Sequence, residues 1–162
     1  MDLTALALQV EATPLSLAIA ESDWLFPALE SAHVAALALV VGSISIVDLR
    51  LLGLASKRRA PDELTAAVLP LTWAGFAVAA TSGLLMFAAK PTSYLENPFF
   101  LGKLALLAAA GLNVALFHLV LGRRLASVGP GALPVPIRIS AGVSLTLWVA
   151  IVAFGRWIGF SL

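Results

Sequence analysis

The chain has 162 residues, of which 60% are hydrophobic and 12% charged, with a net charge of +1 and no cysteine. Soluble domains average about 45–50% apolar and about 25% charged residues, so this composition excludes a fold covered by polar surface in water and suits one solvated by hydrocarbon. The lack of cysteine excludes disulfides, thiolate-held clusters, zinc–cysteine sites and covalent c-type haem; the basic residues, scattered at segment ends, form no face for nucleic acid.

Residues 1–22 are moderately apolar but carry Asp2, Glu11 and Pro14 and lack a basic opening, so they do not read as a cleaved signal peptide. Leu3, Leu6 and Val10 share one helical face. This predicts a short amphipathic helix in the membrane surface, ahead of a main domain over 23–162.

Four apolar stretches follow, near 25–53, 63–89, 98–121 and 135–160. Each can cross a hydrocarbon core of about 30 Å, which takes about 20 helical residues. Asp23 is placed to cap the first span, with Pro27 in its opening turn. Asp62 is placed to cap the second, with Glu63 at the positive end of the dipole and Pro70 as a kink. Pro98 opens the third span, and Pro134 and Pro136 open the fourth. The links SKRRAPD, PTSYLEN and GRRLASVGPGALP are short. The expected fold is therefore an all-α, up-down-up-down four-helix bundle integral to a membrane.

Arg50, Lys57, Arg58, Arg59, Arg123, Arg124 and Arg138 fall on one side of these spans, and only Lys90, Lys103 and Arg156 on the other. The positive-inside rule makes the first side cytoplasmic. Both termini are then expected in the periplasm of a bacterial inner membrane. Trp24, Phe26, Tyr94, Phe99, Phe100, Trp157 and Phe160 form the matching aromatic belt. Trp73 and Trp148 read as core.

Ionisable groups inside a membrane are costly and need a partner or a task. His33 lies early in the first span and Asp48 fifteen residues later; Lys103 lies early in the third and His118 fifteen later. Fifteen helical steps return to within about 60° of one face, roughly 22 Å deeper. The two spans run in one direction, so His33 and Lys103 share an outer level, and Asp48 and His118 an inner one. A faint repeat supports the match, since Pro27, His33 and Gly42 align with Pro98, Lys103 and Gly111 within one residue at each step.

Two nitrogen donors at one depth on facing helices can bracket a flat cofactor, and haem b is non-covalent and takes axial nitrogens. Glu30, one turn before His33, is placed to orient its other ring nitrogen. Lys103 would ligate as the neutral amine, and Arg156 would pair with a propionate. Met86, at the depth of His33, is a second candidate for the outer axial position. Structural alternatives stand beside each: a histidine bonded to Glu30 or backbone, a snorkelling Lys103, an interfacial His118, a packing Met86, and Asp48 paired with Arg50. Two bis-histidine haems would need four histidines and the chain has two. The haem count is therefore one with mixed ligation, or two with one histidine each.

The stretches SDWLFPALESAH, VVGSISIVDLRLLG, LTWAGFAVAATSGLLMF, NPFFLGKLALL, GLNVALFH and AFGRWIGF together resemble a bacterial family of small four-helix membrane proteins of unknown function, over nearly the whole chain. More distantly, His33, Gly42, Arg50-Leu51 and Lys103 are similar to the signature of the four-helix, haem b-binding membrane protoporphyrinogen oxidases. That resemblance implies His33 and Lys103 as the haem pair, while VVGSISIVDLRL departs from the family's aromatic and tyrosine pattern. The spacing from His33 to Gly42 also resembles the first helix of copper-resistance D-type domains.

Three functions are expected in order. The first is a haem b oxidoreductase or transmembrane electron carrier, with haems at outer and inner levels and a quinone or periplasmic electron partner. The second is a copper-handling protein using His33, Met86, Glu30 and Met1. The third is a cofactor-free assembly or scaffold subunit, packed through the small residues Ala108, Ala109, Ala110 and Gly111. A homo-oligomer, with a trimer as the guess, is expected in the bilayer.

Overall fold

The computed structural model describes residues 2–56, 58–121 and 133–161, which are helical and form no strand. The expected roles of Met1, Lys57, Arg123 and Arg124 lie outside the described residues. Two short helices come first, α1 (Leu3–Glu11) and α2 (Pro14–Ala20), bent by 71° at their junction. Asp2 caps α1 by accepting from the Thr4 amide, and Thr13 caps α2 ahead of Pro14. One helix was expected here. The Thr13-Pro14 step divides it, because a capping hydroxyl followed by proline starts a new helix.

Four long helices are apolar and long enough to cross a membrane: α3 (Leu25–Leu51), α4 (Pro61–Ala89), α6 (Pro98–Leu116) with a π-helical turn over Phe117–Leu121, and α7 (Val135–Ser161). A short helix, α5 (Pro91–Glu96), joins α4 to α6. The caps differ from expectation at two starts. Ser22 Oγ, not Asp23, accepts from the Leu25 amide. Helix α4 begins at Pro61, so Asp62 and Glu63 both sit in its first turn and favour its positive end. The helix runs unbroken through Pro70. Asn97 caps α6 by accepting from the Phe99 and Phe100 amides.

The longest interface joins α3 to α4. Its antiparallel seam is lined by small residues, which let the two backbones come close. A Cβ on Gly75 would lie 3.1 Å from Val40 Cγ2 and 3.4 Å from the Ala36 carbonyl oxygen. Ser43 and Thr72 hydroxyls meet across the same seam at 2.8 Å. Helix α7 packs against α3 on one side and α6 on the other, and α6 makes no comparable backbone contact with α3 or α4. The mid-depth core is hydrocarbon: Val40, Ala110, Trp148 and Ile151. A second cluster of Leu51, Leu133, Ile137 and Ala141 closes the arginine-rich end.

Helices α1 and α2 fold over the α4–α5 corner at the opposite end. There the Ser16 hydroxyl donates to the Ala88 carbonyl (2.6 Å), and Glu11 accepts from the Thr92 amide (3.3 Å). Trp73 is 60% exposed, edge-on to Phe76 at 5.9 Å, contrary to the core position expected. The apolar ring area of an outward indole is tolerated where the surrounding solvent is itself apolar, whereas Trp148 is buried as expected.

Candidate functional site

Near the α5 end, His33 of α3 lies half-buried against α4. Its ring rests on Gly83, where a Cβ would come within 3.1 Å of His33 Cε1. The partner of Nδ1 is Ser82 Oγ at 3.0 Å. The Ser82 hydroxyl has one proton, and it is directed at the Val78 carbonyl at 2.7 Å, with the Ala79 carbonyl at 3.2 Å. With that proton on Val78, Ser82 accepts and His33 Nδ1–H donates, whereas in the other tautomer Ser82 donates to Nδ1. In the first arrangement the lone pair is left on Nε2, as in a metal-binding histidine held from behind.

Glu30 does not take the orienting role expected for it. It is exposed at the helix surface, and the bond to Nδ1 comes from Ser82, forty-nine residues away in sequence. Glu30 instead lies within electrostatic reach of Tyr94. Tyr94 is buried on α5, with its ring 6.1 Å from Phe87 and 5.1 Å from Phe100, while Phe87 and Phe100 stack at 5.5 Å. These rings join the end of α4 to the start of α6. Burial first, and the Glu30 carboxylate second, hold the Tyr94 phenol above its ordinary value.

Lys103 of α6 is half-buried and reaches across to α7, where its Nζ would be 3.4 Å from a Cβ on Gly155. No charged partner or hydrogen-bond acceptor among the described residues faces its ammonium. It is close enough to His33 for its charge to act on the ring. Helices α3 and α6, which carry the two residues, share no extensive backbone contact. Met86 is buried on α4, one turn beyond Ser82. Arg156 is exposed and lies over the Phe160 ring at 4.5 Å, so it snorkels outward rather than lining the site.

The inner level is not assembled as expected. His118 is exposed, with Nδ1 turned back to the Val114 carbonyl at 2.9 Å. It lies in the π-helical turn at the end of α6. Asp48 is buried and faces Ser144 of α7. Nor does Asp48 pair with Arg50. Residues two apart point to opposite sides of a helix, and Arg50 Nε donates to the Arg59 carbonyl at 2.8 Å. Among the described residues no three histidine or acidic side chains converge as a metal site would require. A groove of about 420 Å³ on α7, lined by Ile139, Gly142, Val143, Thr146 and Leu147, carries no ionisable group.

Four helices long and apolar enough to cross a membrane define the class, a small helical membrane protein. Residues 26–161 match the model of a family of unknown function, DUF6644, and the chain belongs to that family. No curated protein and no solved structure matches it.

Proposed function

We propose that the chain is a membrane-bound haem b protein, an oxidoreductase or electron carrier, in which His33 is an axial ligand through Nε2. The observation that carries this reading is the relay from His33 Nδ1–H to Ser82 to the Val78 carbonyl. With Nδ1 as the donor, this relay leaves Nε2 uncommitted and supports a ligand role for it. Lys103, unpaired and across Gly155, supports a second nitrogen on the same level. Bound haem would supply one-electron chemistry at iron. The chain's own part is to fix the ring plane of His33 through Ser82 and Gly83, and to cover the α4–α6 corner with Phe87, Tyr94 and Phe100.

One haem per chain, at the α5 end, is the number these side chains support, because Asp48 and His118 diverge. By the basic-residue bias that end faces the periplasm of a bacterial inner membrane, towards a quinone or periplasmic electron partner. Absorption spectra of the purified protein, oxidised and then dithionite-reduced, test the proposal. A Soret band and a reduced α band are expected, absent in His33→Ala, with haem affinity about 10- to 100-fold weaker in Ser82→Ala. Wild-type protein made with haem in supply and showing neither band overturns it. Met86 on the buried face that carries Ser82 favours copper as a second reading. Stoichiometric copper without iron would select it.

A further inference from the structure

A second buried ionisable group lies outside the haem reading. Asp48, three residues before the end of α3, is 5% exposed, and its Oδ2 has no hydrogen-bond partner. Ser144 of α7 faces the carboxyl. One turn along α7, the buried indole Nε1–H of Trp148 also lacks a partner. An unmet acceptor on α3 and an unmet donor on α7, one turn beyond the serine that faces the acceptor, thus both lie inside hydrocarbon, where each is expensive.

Among the described residues no counter-charge meets the carboxyl. On α7 the nearest basic residue, Arg138, is exposed and six residues away towards the arginine-rich end. On α4, Leu64 is buried and apolar, while Asp62 and Glu63 are exposed at the helix start. On α3 itself Arg50 turns to the Arg59 carbonyl. His118 of the π-helical turn is exposed and turned to Val114. A bare carboxylate in such a place is costly unless it can neutralise.

We propose that Asp48 is a proton-binding site, served from the arginine-rich end, in which one internal water links its carboxyl to the Ser144 hydroxyl and the Trp148 indole. A hydronium ion gives its proton to Oδ2 and leaves as water, and the carboxylate becomes a neutral acid. Internal waters of this kind make about three hydrogen bonds to groups otherwise unmet, and these three residues supply them. Passage onward to His33 is closed by the seam at Gly75, where Val40, Leu39 and the Ala36 carbonyl already lie within 3.4 Å of a Cβ position.

Infrared difference spectroscopy on the full chain in lipid vesicles, stepped from mildly alkaline to mildly acid solution, tests this. The expected signal is the carbonyl stretch of a newly protonated carboxyl, lowered in D2O, lost in Asp48→Asn, and shifted in Ser144→Ala and in Trp148→Phe. No such band in wild type, or an unchanged band in Asp48→Asn, overturns the proposal. An unshifted band in Trp148→Phe overturns the water link. If Asp48→Asn does not fold, an unshifted band in Ser144→Ala overturns the site. The experiment is done on protein without haem, so its failure and the failure of the haem reading are separate results.

Discussion

Ser82 sets which nitrogen of His33 is free in the arrangement where its only proton goes to the α4 backbone. In Ser82→Ala that constraint goes, and the imidazole should populate both neutral tautomers where the wild type holds Nδ1–H alone. Nitrogen NMR of labelled histidine reads the difference directly, and a single tautomer in the variant would contradict the assignment. Tyr94 offers a second check, since it is the chain's one tyrosine and its ultraviolet titration reports one group. Burial and Glu30 raise its ionisation above the ordinary range near about 10. The stability it gives is intact below that range and is lost as pH rises towards the folded-state value. Tyr94→Phe should therefore remove part of the alkaline loss of stability, measured by thermal unfolding in detergent. Glu30 illustrates the limit of local periodicity. One turn from His33, it was the natural partner in sequence, but the bond is made across the α3–α4 seam by a serine that no pattern near residue 33 could reveal.

At the scale of the elements, the four long helices were legible, because lengthy apolar runs between short polar links admit little else. The π-helical turn at Phe117–Leu121 was not. Nothing in FHLVL departs from helical composition, so the change of winding at His118 could not be foreseen. Helix α6 carries a sharp contrast among its glycines. A Cβ on Gly102 would lie 2.4 Å and 2.8 Å from ring atoms of Phe154, itself edge-on to Phe99, whereas Gly111 has nothing within 4 Å. Gly102→Ala should cost about 1–3 kcal/mol by forcing α6 off α7 or swinging the ring. Gly111→Ala, on the lipid side, should stay within about 0.5 kcal/mol. Thermal midpoints of the two variants in one detergent compare them, and equal midpoints would mean that the α6–α7 contact is looser than described.

At the scale of the whole molecule, the unequal basic ends make a topological prediction that the absent cysteines render simple to test. Single cysteines placed at Asp2 and at Arg58, in a chain with no others, should react with an impermeant thiol reagent from opposite sides of the inner membrane. The first should label in intact spheroplasts and the second only after the membrane is opened. The reverse pattern would invert the proposed orientation and turn the His33–Lys103 site towards the cytoplasm.

Helix α6 makes most of its contact with the bundle through α7, and this orders events at the ribosome. The first hairpin, α3 with α4, has its seam complete as soon as both helices enter the bilayer. Helix α6 then has only the aromatic corner at Phe87, Tyr94 and Phe100 to hold it until the last helix emerges to dock it. Lys103 finds Gly155 only at that final moment of synthesis, so a nascent chain arrested before Gly155 would leave its amine without that contact.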